Sequence, residues 1–219
     1  QPGPVHINIP LREPLYGTTE EKMEGMPVDT ARPVPSISDE VIENFAQRWN
    51  STVRIMIVAG QMQPNNALNS RLSALSKLDN VVVLTETTSN LQGELFIDCI
   101  DNVVSTIADD EVNDFRPGLV VSFGGQIVSK MIKKYLRLNP PAQHWHLSAS
   151  GEHMDTYFSL TDAVATSPTE FFRQMATRIS NVESNYTSTW AARLKAVREK
   201  RKAYLKKIPF SDFRAFNSL

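Results

Sequence analysis

The residues best placed to do chemistry are Gly124, Gly125, Gln126 and Lys130, within the stretch that runs from Gly118 to Leu136. Two adjacent glycines let a chain turn sharply with its amides exposed, and the spacing of Ile127, Met131, Ile132, Tyr135 and Leu136 predicts a helix after the turn. A helix start carries unpaired N–H groups and partial positive charge, so it favours an anion. Lys130, which the spacing places about one turn into that helix, is the basic side chain expected beside an acidic small molecule; the alternative is a lysine solvated like Lys133 and Lys134. His144 and His146 share one face of a predicted strand, and such a pair can bind a metal. No third ligand stands at a suitable spacing, so histidines packed under a helix are the better reading. Gly124-Gly125-Gln126 lacks the third glycine and the following acid of the dinucleotide fingerprint. The run Ser148 to Asp155 holds a serine, a histidine and acids, but not the glycines of a nucleophile elbow, which argues against a hydrolase. Cys99 is the only cysteine, so an internal disulfide and a multi-cysteine zinc site are excluded, and a reducing cytoplasm is the expected setting.

These residues need elements to position them. Leu119 to Phe123 is a short, valine-rich run of the kind buried in parallel sheets, and Val53 to Gly60 and Val81 to Leu84 are similar. Further strands are predicted at Gln143–Ser148 and Asp162–Thr166. Ser36 to Glu40 is a helix entry, with Val41, Ile42, Phe45 and Trp49 on one face. Helices are also predicted over Asn65–Leu78 and between Ile97 and Ile107, and Pro168 behind Ser167 opens another. Strands recurring at roughly 25–35 residues with helices between them imply an α/β fold: a doubly wound parallel sheet of five to six strands, helices on both faces. Gly60 and Gln61 then close one strand and Glu86 sits in the polar loop Thr85 to Asn90. With Gly124, Gly125 and Gln126 they form a candidate ligand crevice at the carboxyl edge of the sheet.

The formal net charge of −1 hides an asymmetry: Arg193 to Lys207 holds eight basic residues against Glu199 alone. Trp190, Leu194, Val197, Tyr204 and Leu205 form a stripe at helical spacing, so a solvated helix lying on an acidic body accounts for the charge better than a nucleic-acid footprint. No apolar run approaches the roughly 20 residues a bilayer requires, so no membrane insertion is expected. Pro4 to Pro10 alternates like a strand with no partner nearby. Residues 1–16 are therefore expected to be the remnant of a preceding domain, 17–35 a proline-rich linker, 36–185 the central α/β domain, and 186–219 a helix and linker leading onward.

The segment Gly3-Pro4-Val5-His6-Ile7-Asn8-Ile9-Pro10-Leu11-Arg12-Glu13-Pro14-Leu15-Tyr16 resembles the end of the pyrimidine-binding domain in one thiamine diphosphate-dependent family. That family is the 2-succinyl-5-enolpyruvyl-6-hydroxy-3-cyclohexene-1-carboxylate synthases of menaquinone biosynthesis. Val58-Ala59-Gly60-Gln61, Leu84 to Asn90 and Val120 to Lys130 are similar to the strand ends of its central, transhydrogenase-like domain. The resemblance implies a transferase that decarboxylates 2-oxoglutarate and adds the remnant to isochorismate, with thiamine diphosphate and Mg2+ (or Mn2+), as a cytoplasmic homo-oligomer without a nucleic-acid partner. It also implies that the catalytic glutamate lies before Gln1 and the metal-binding glycine-aspartate-glycine motif after Leu219, so this stretch alone would be inactive and hold no cofactor or metal. It gives Lys130 a contact with a substrate carboxylate, while Met131 stands where some relatives carry arginine. Two other readings remain: a structural or oligomerisation layer with no ligand of its own, and a nucleotide-binding domain like those of flavin-containing relatives.

Overall fold

A computed structural model describes residues 36–216 together with His6, Asn8 and Pro10. The expected strand at Pro4–Pro10 and the linker 17–35 lie outside the described residues. The chain divides into two units, 1–33 and 34–219; in the first, His6, Asn8 and Pro10 are exposed, and the second carries the fold.

Five strands, β1 (Ile55–Ala59), β2 (Val81–Thr85), β3 (Leu119–Phe123), β4 (Gln143–Leu147) and β5 (Asp162–Val164), form an all-parallel sheet in the order 2-1-3-4-5. Every residue of β1, β2 and β3 is buried, because helices cover both faces. Ile57, Val83, Val121 and Trp145 point into a core under α1 (Asp39–Asn50), α2 (Asn66–Leu75) and α6 (Pro168–Met175). Their neighbours Met56, Val82 and Val120 point the other way, towards α3 (Ile100–Val104), α4 (Val112–Phe115), α5 (Lys130–Leu138) and α7 (Tyr186–Lys207). A short α8 (Asp212–Phe216) follows. The chain leaves β1 for β2 on one side and returns to β3 on the other, so β1 and β3 flank the switch point where such sheets usually bind ligands.

Helix starts are capped as their sequences direct. Ser38, Asn65, Ser129 and Ser167 each accept a hydrogen bond from a backbone N–H three residues on, and Pro168 takes the first helical position.

Several expectations need correction. The helix expected over Ile97–Ile107 is reduced to Ile100–Val104, because Ile97 pairs in parallel with Leu84 and its backbone bonds to Val83 and Thr85 extend the sheet edge. Val41 faces solvent while Ile42, Phe45 and Trp49 are buried, and β1 starts at Ile55 because Val53 is exposed. The stripe on α7 ends at Val197, leaving Tyr204 exposed. The helix does lie on acidic groups: Arg193 pairs with Glu111 at 2.6 Å and Arg198 with Asp98 at 2.9 Å. Among the described residues, no helix is long and apolar enough to cross a membrane.

Candidate functional site

The ends of β1 and β3 meet backbone to backbone. Gly60 N–H donates to Phe123 O at 2.8 Å, Gly125 N–H to Gln61 O at 2.7 Å, and Gln61 N–H to Gln126 O at 3.3 Å. A side chain cannot enter this contact: a Cβ on Gly60 would lie 2.2 Å from Gly125 O, and one on Gly124, whose φ is +81°, would lie 2.9 Å from Gly60 O. The glycines singled out as a ligand cradle thus let two turns pack on each other across the switch point.

The start of α5 is also occupied from within the chain. Glu86, just past β2, accepts the N–H of Val128 through Oε2 at 2.8 Å and the N–H of Ser129 through Oε1 at 2.6 Å. Ser129 Oγ accepts Ile132 N–H at 3.1 Å and donates to the Asp101 carboxylate of α3. The anion at this helix start is the protein's own glutamate, which holds the amides of the cap and of the residue before it and whose charge suits the helix dipole. Lys130 is the first residue of α5, not one turn in, because Ser129 is the cap. Its side chain is exposed and makes no ion pair among the described residues. The carboxyl edge therefore brings together Gly60, Gln61, Gly124, Gly125 and Gln126 in one contact and Glu86 with the residues just before Lys130 in another.

Beside Glu86 lies an open cavity of about 380 Å³, lined by Thr87, Asp98, Asp101, Val128 and Ser129 among others. With Glu86 its wall carries three carboxylates, of which Asp98 is paired with Arg198, so the cavity disfavours an organic acid.

The histidine pair has a different role from a metal site. Ser122 Oγ lies 2.7 Å from His144 Nε2 and 2.9 Å from His146 Nδ1. A hydroxyl has one proton, so it donates to one ring and accepts N–H from the other, which couples the two tautomers. What packs against His144 is the ring of Tyr157 in the 148–161 connection, at 5.3 Å. Burial, then the proximity of His146, pushes the His144 pKa down to about 4, against an upward pull from Asp155, whose Oδ1 is 4.0 Å from Nδ1. His146 is lowered by burial and by His153. Among the described residues no group of three or more His, Cys, Asp or Glu side chains is arranged to hold a metal. Burial, helped by Asp98, raises the pKa of the half-buried Cys99 thiol. Ser148 and Ser150 hydrogen-bond each other at 3.0 Å.

Sequence reasoning missed the helix-capping role of Glu86, the anchoring role of Asp101 and the bridging role of Ser122. The single local signal was an acid in a polar loop at a strand end.

Residues 35–213 match the family model described as the middle domain of thiamine pyrophosphate, among the thiamine pyrophosphate enzymes. The chain belongs to that family. Curated relatives resemble this middle domain across nearly its whole length. A protein of Flavobacterium psychrophilum is 38% identical over 98% of the chain, which covers 38% of that relative. One of Flavobacterium johnsoniae is 35% identical over 100% of the chain and 40% of the relative, and one of Bacteroides thetaiotaomicron is 34% identical over 90% and 36%. All three bear the name 2-succinyl-5-enolpyruvyl-6-hydroxy-3-cyclohexene-1-carboxylate synthase. The chain spans about two-fifths of the length of these relatives.

Proposed function

We propose that this chain is the middle layer of a cytoplasmic, homo-oligomeric synthase that decarboxylates 2-oxoglutarate and adds the product to isochorismate. The observation that carries this reading is the likeness of the chain, over 90–100% of its length, to relatives that share one synthase name.

Thiamine diphosphate and a divalent metal (Mg2+ or Mn2+) would supply the decarboxylation chemistry. The described residues do not fit either group. The glycine turns expected to cradle a ligand are filled by each other's backbone, the amides of Val128 and Ser129 are held by Glu86, and no ligand cluster is present among the described residues. What this chain offers the reaction is charge. Both proposed substrates are dicarboxylates, and Lys130 is an exposed ammonium at the carboxyl edge of the sheet. Because the Val128 and Ser129 amides just before it are taken, the group this edge offers an acid is the Lys130 side chain.

The expected outcome for Lys130→Ala in the complete synthase is a rise in KM for isochorismate of about tenfold, with a smaller fall in kcat, the signature of lost uniform binding. A second reading, a structural layer with no ligand contact, is favoured by the closed switch point between β1 and β3. Steady-state kinetics separate the two: unchanged KM and kcat in Lys130→Ala would remove the Lys130 contact and favour the structural layer.

A further inference from the structure

Glu86 makes two short hydrogen bonds to consecutive amides, Val128 and Ser129, and the next residue is Lys130. Charge-assisted bonds of 2.8 and 2.6 Å at a helix start are stronger than neutral ones and restrain this turn. Glu86 is itself pinned. It follows the last residue of β2, and its carbonyl accepts both the N–H of Ser89 at 2.9 Å and the Ser89 hydroxyl at 2.7 Å. Asp101, from α3, grips the same turn through the Ser129 hydroxyl. The backbone that launches Lys130 is thus tied to β2 and α3.

We propose that Glu86 is a positioning residue for Lys130, a built-in carboxylate that fills the anion site at the start of α5. This proposal rests on the reading of Lys130 as the substrate-acid contact. Two consequences follow from the geometry. A substrate carboxylate is denied the Val128 and Ser129 amides, so at this turn the ammonium of Lys130, on its flexible stem, takes their place. The base of that stem keeps its place because Glu86 and Asp101 hold the residues before it.

The test is chemical rescue. Glu86→Ala uncovers two amides that a small carboxylate can fill, so formate should raise the melting temperature of the Glu86→Ala chain and leave that of the wild-type chain unmoved. In the complete synthase, Glu86→Ala should raise KM for isochorismate about tenfold with less change in kcat, and formate should restore much of that KM, measured against wild type in the same formate. Added to Lys130→Ala, the Glu86 substitution should raise KM no further. Glu86→Gln, which keeps the shape and one acceptor, is the variant to use should the alanine fail to fold, and it should show an intermediate KM. No effect of formate on the melting temperature of Glu86→Ala would overturn the anion-site assignment. Rescue of melting with an unaltered KM would reduce Glu86 to a helix cap and overturn the positioning role. Should Lys130→Ala alone leave KM unchanged, the reading of Lys130 fails, while the formate-dependent melting still reports what Glu86 occupies.

Discussion

Ser122, His144 and His146 make a polar knot in an otherwise apolar layer, and its protonation has a direction that can be worked out. His144 titrates near 6.5 when unfolded and near 4 in the fold, because its buried ring resists charge. Between these values the unfolded chain binds a proton that the native chain refuses. The stabilisation is therefore complete above about 6.5 and is lost as pH falls through about 4, with His146 acting in the same direction. By pH 4 the loss from His144 alone approaches about 3 kcal/mol. Urea unfolding midpoints at neutral pH and near pH 4.5 measure it, and His144→Phe should flatten the difference. Cys99, half-buried with its pKa raised, stays a thiol across this range.

At the scale of elements, the turns after β1 and β3 act as a single unit. Gly60→Ala forces a Cβ to within 2.2 Å of the Gly125 carbonyl, where the obstacle is backbone and cannot swing aside. A loss of about 1–3 kcal/mol is expected, read as a lower denaturant midpoint. Gly118→Ala is the matched control. Its nearest neighbours, the Thr52 side chain at 3.4 Å and Arg54 O at 3.6 Å, are ordinary contacts, so the midpoint should move by no more than about 0.5 kcal/mol. Helix entries show how far local sequence reaches. Ser38 and Ser167 could be read as start signals because cap and capped amide are three residues apart. Ser129 obeys the same rule, yet the glycines and apolar residues before it made the helix seem to begin earlier, which misplaced Lys130 by about a turn.

Over the whole molecule, α7 shows how burial divides a helix whose charge is concentrated beyond Arg193. Its first twelve residues insert Tyr186, Trp190, Leu194 and Val197 beneath the sheet, where Trp190 packs edge-on to Phe115 with centroids 5.2 Å apart. The remainder carries Tyr204, which is 59% exposed. Trp190→Ala should cost about 3–5 kcal/mol and Tyr204→Ala no more than about 0.5 kcal/mol, both measurable by urea unfolding.

The residues alone specified the alternating α/β class, the covered parallel sheet and most element positions, because period and capping are encoded within a few neighbouring residues. Family motifs at the strand ends were legible for the same reason. Tertiary structure decided which groups those ends bring together. Glu86 lies 42 and 43 residues from the two amides it binds, Ser122 lies 22 and 24 from its histidines, and Gly60 meets Gly125 across the switch point. Such pairings follow from the strand order 2-1-3-4-5, and hydrophobic periodicity carries no information about which strand lies beside which.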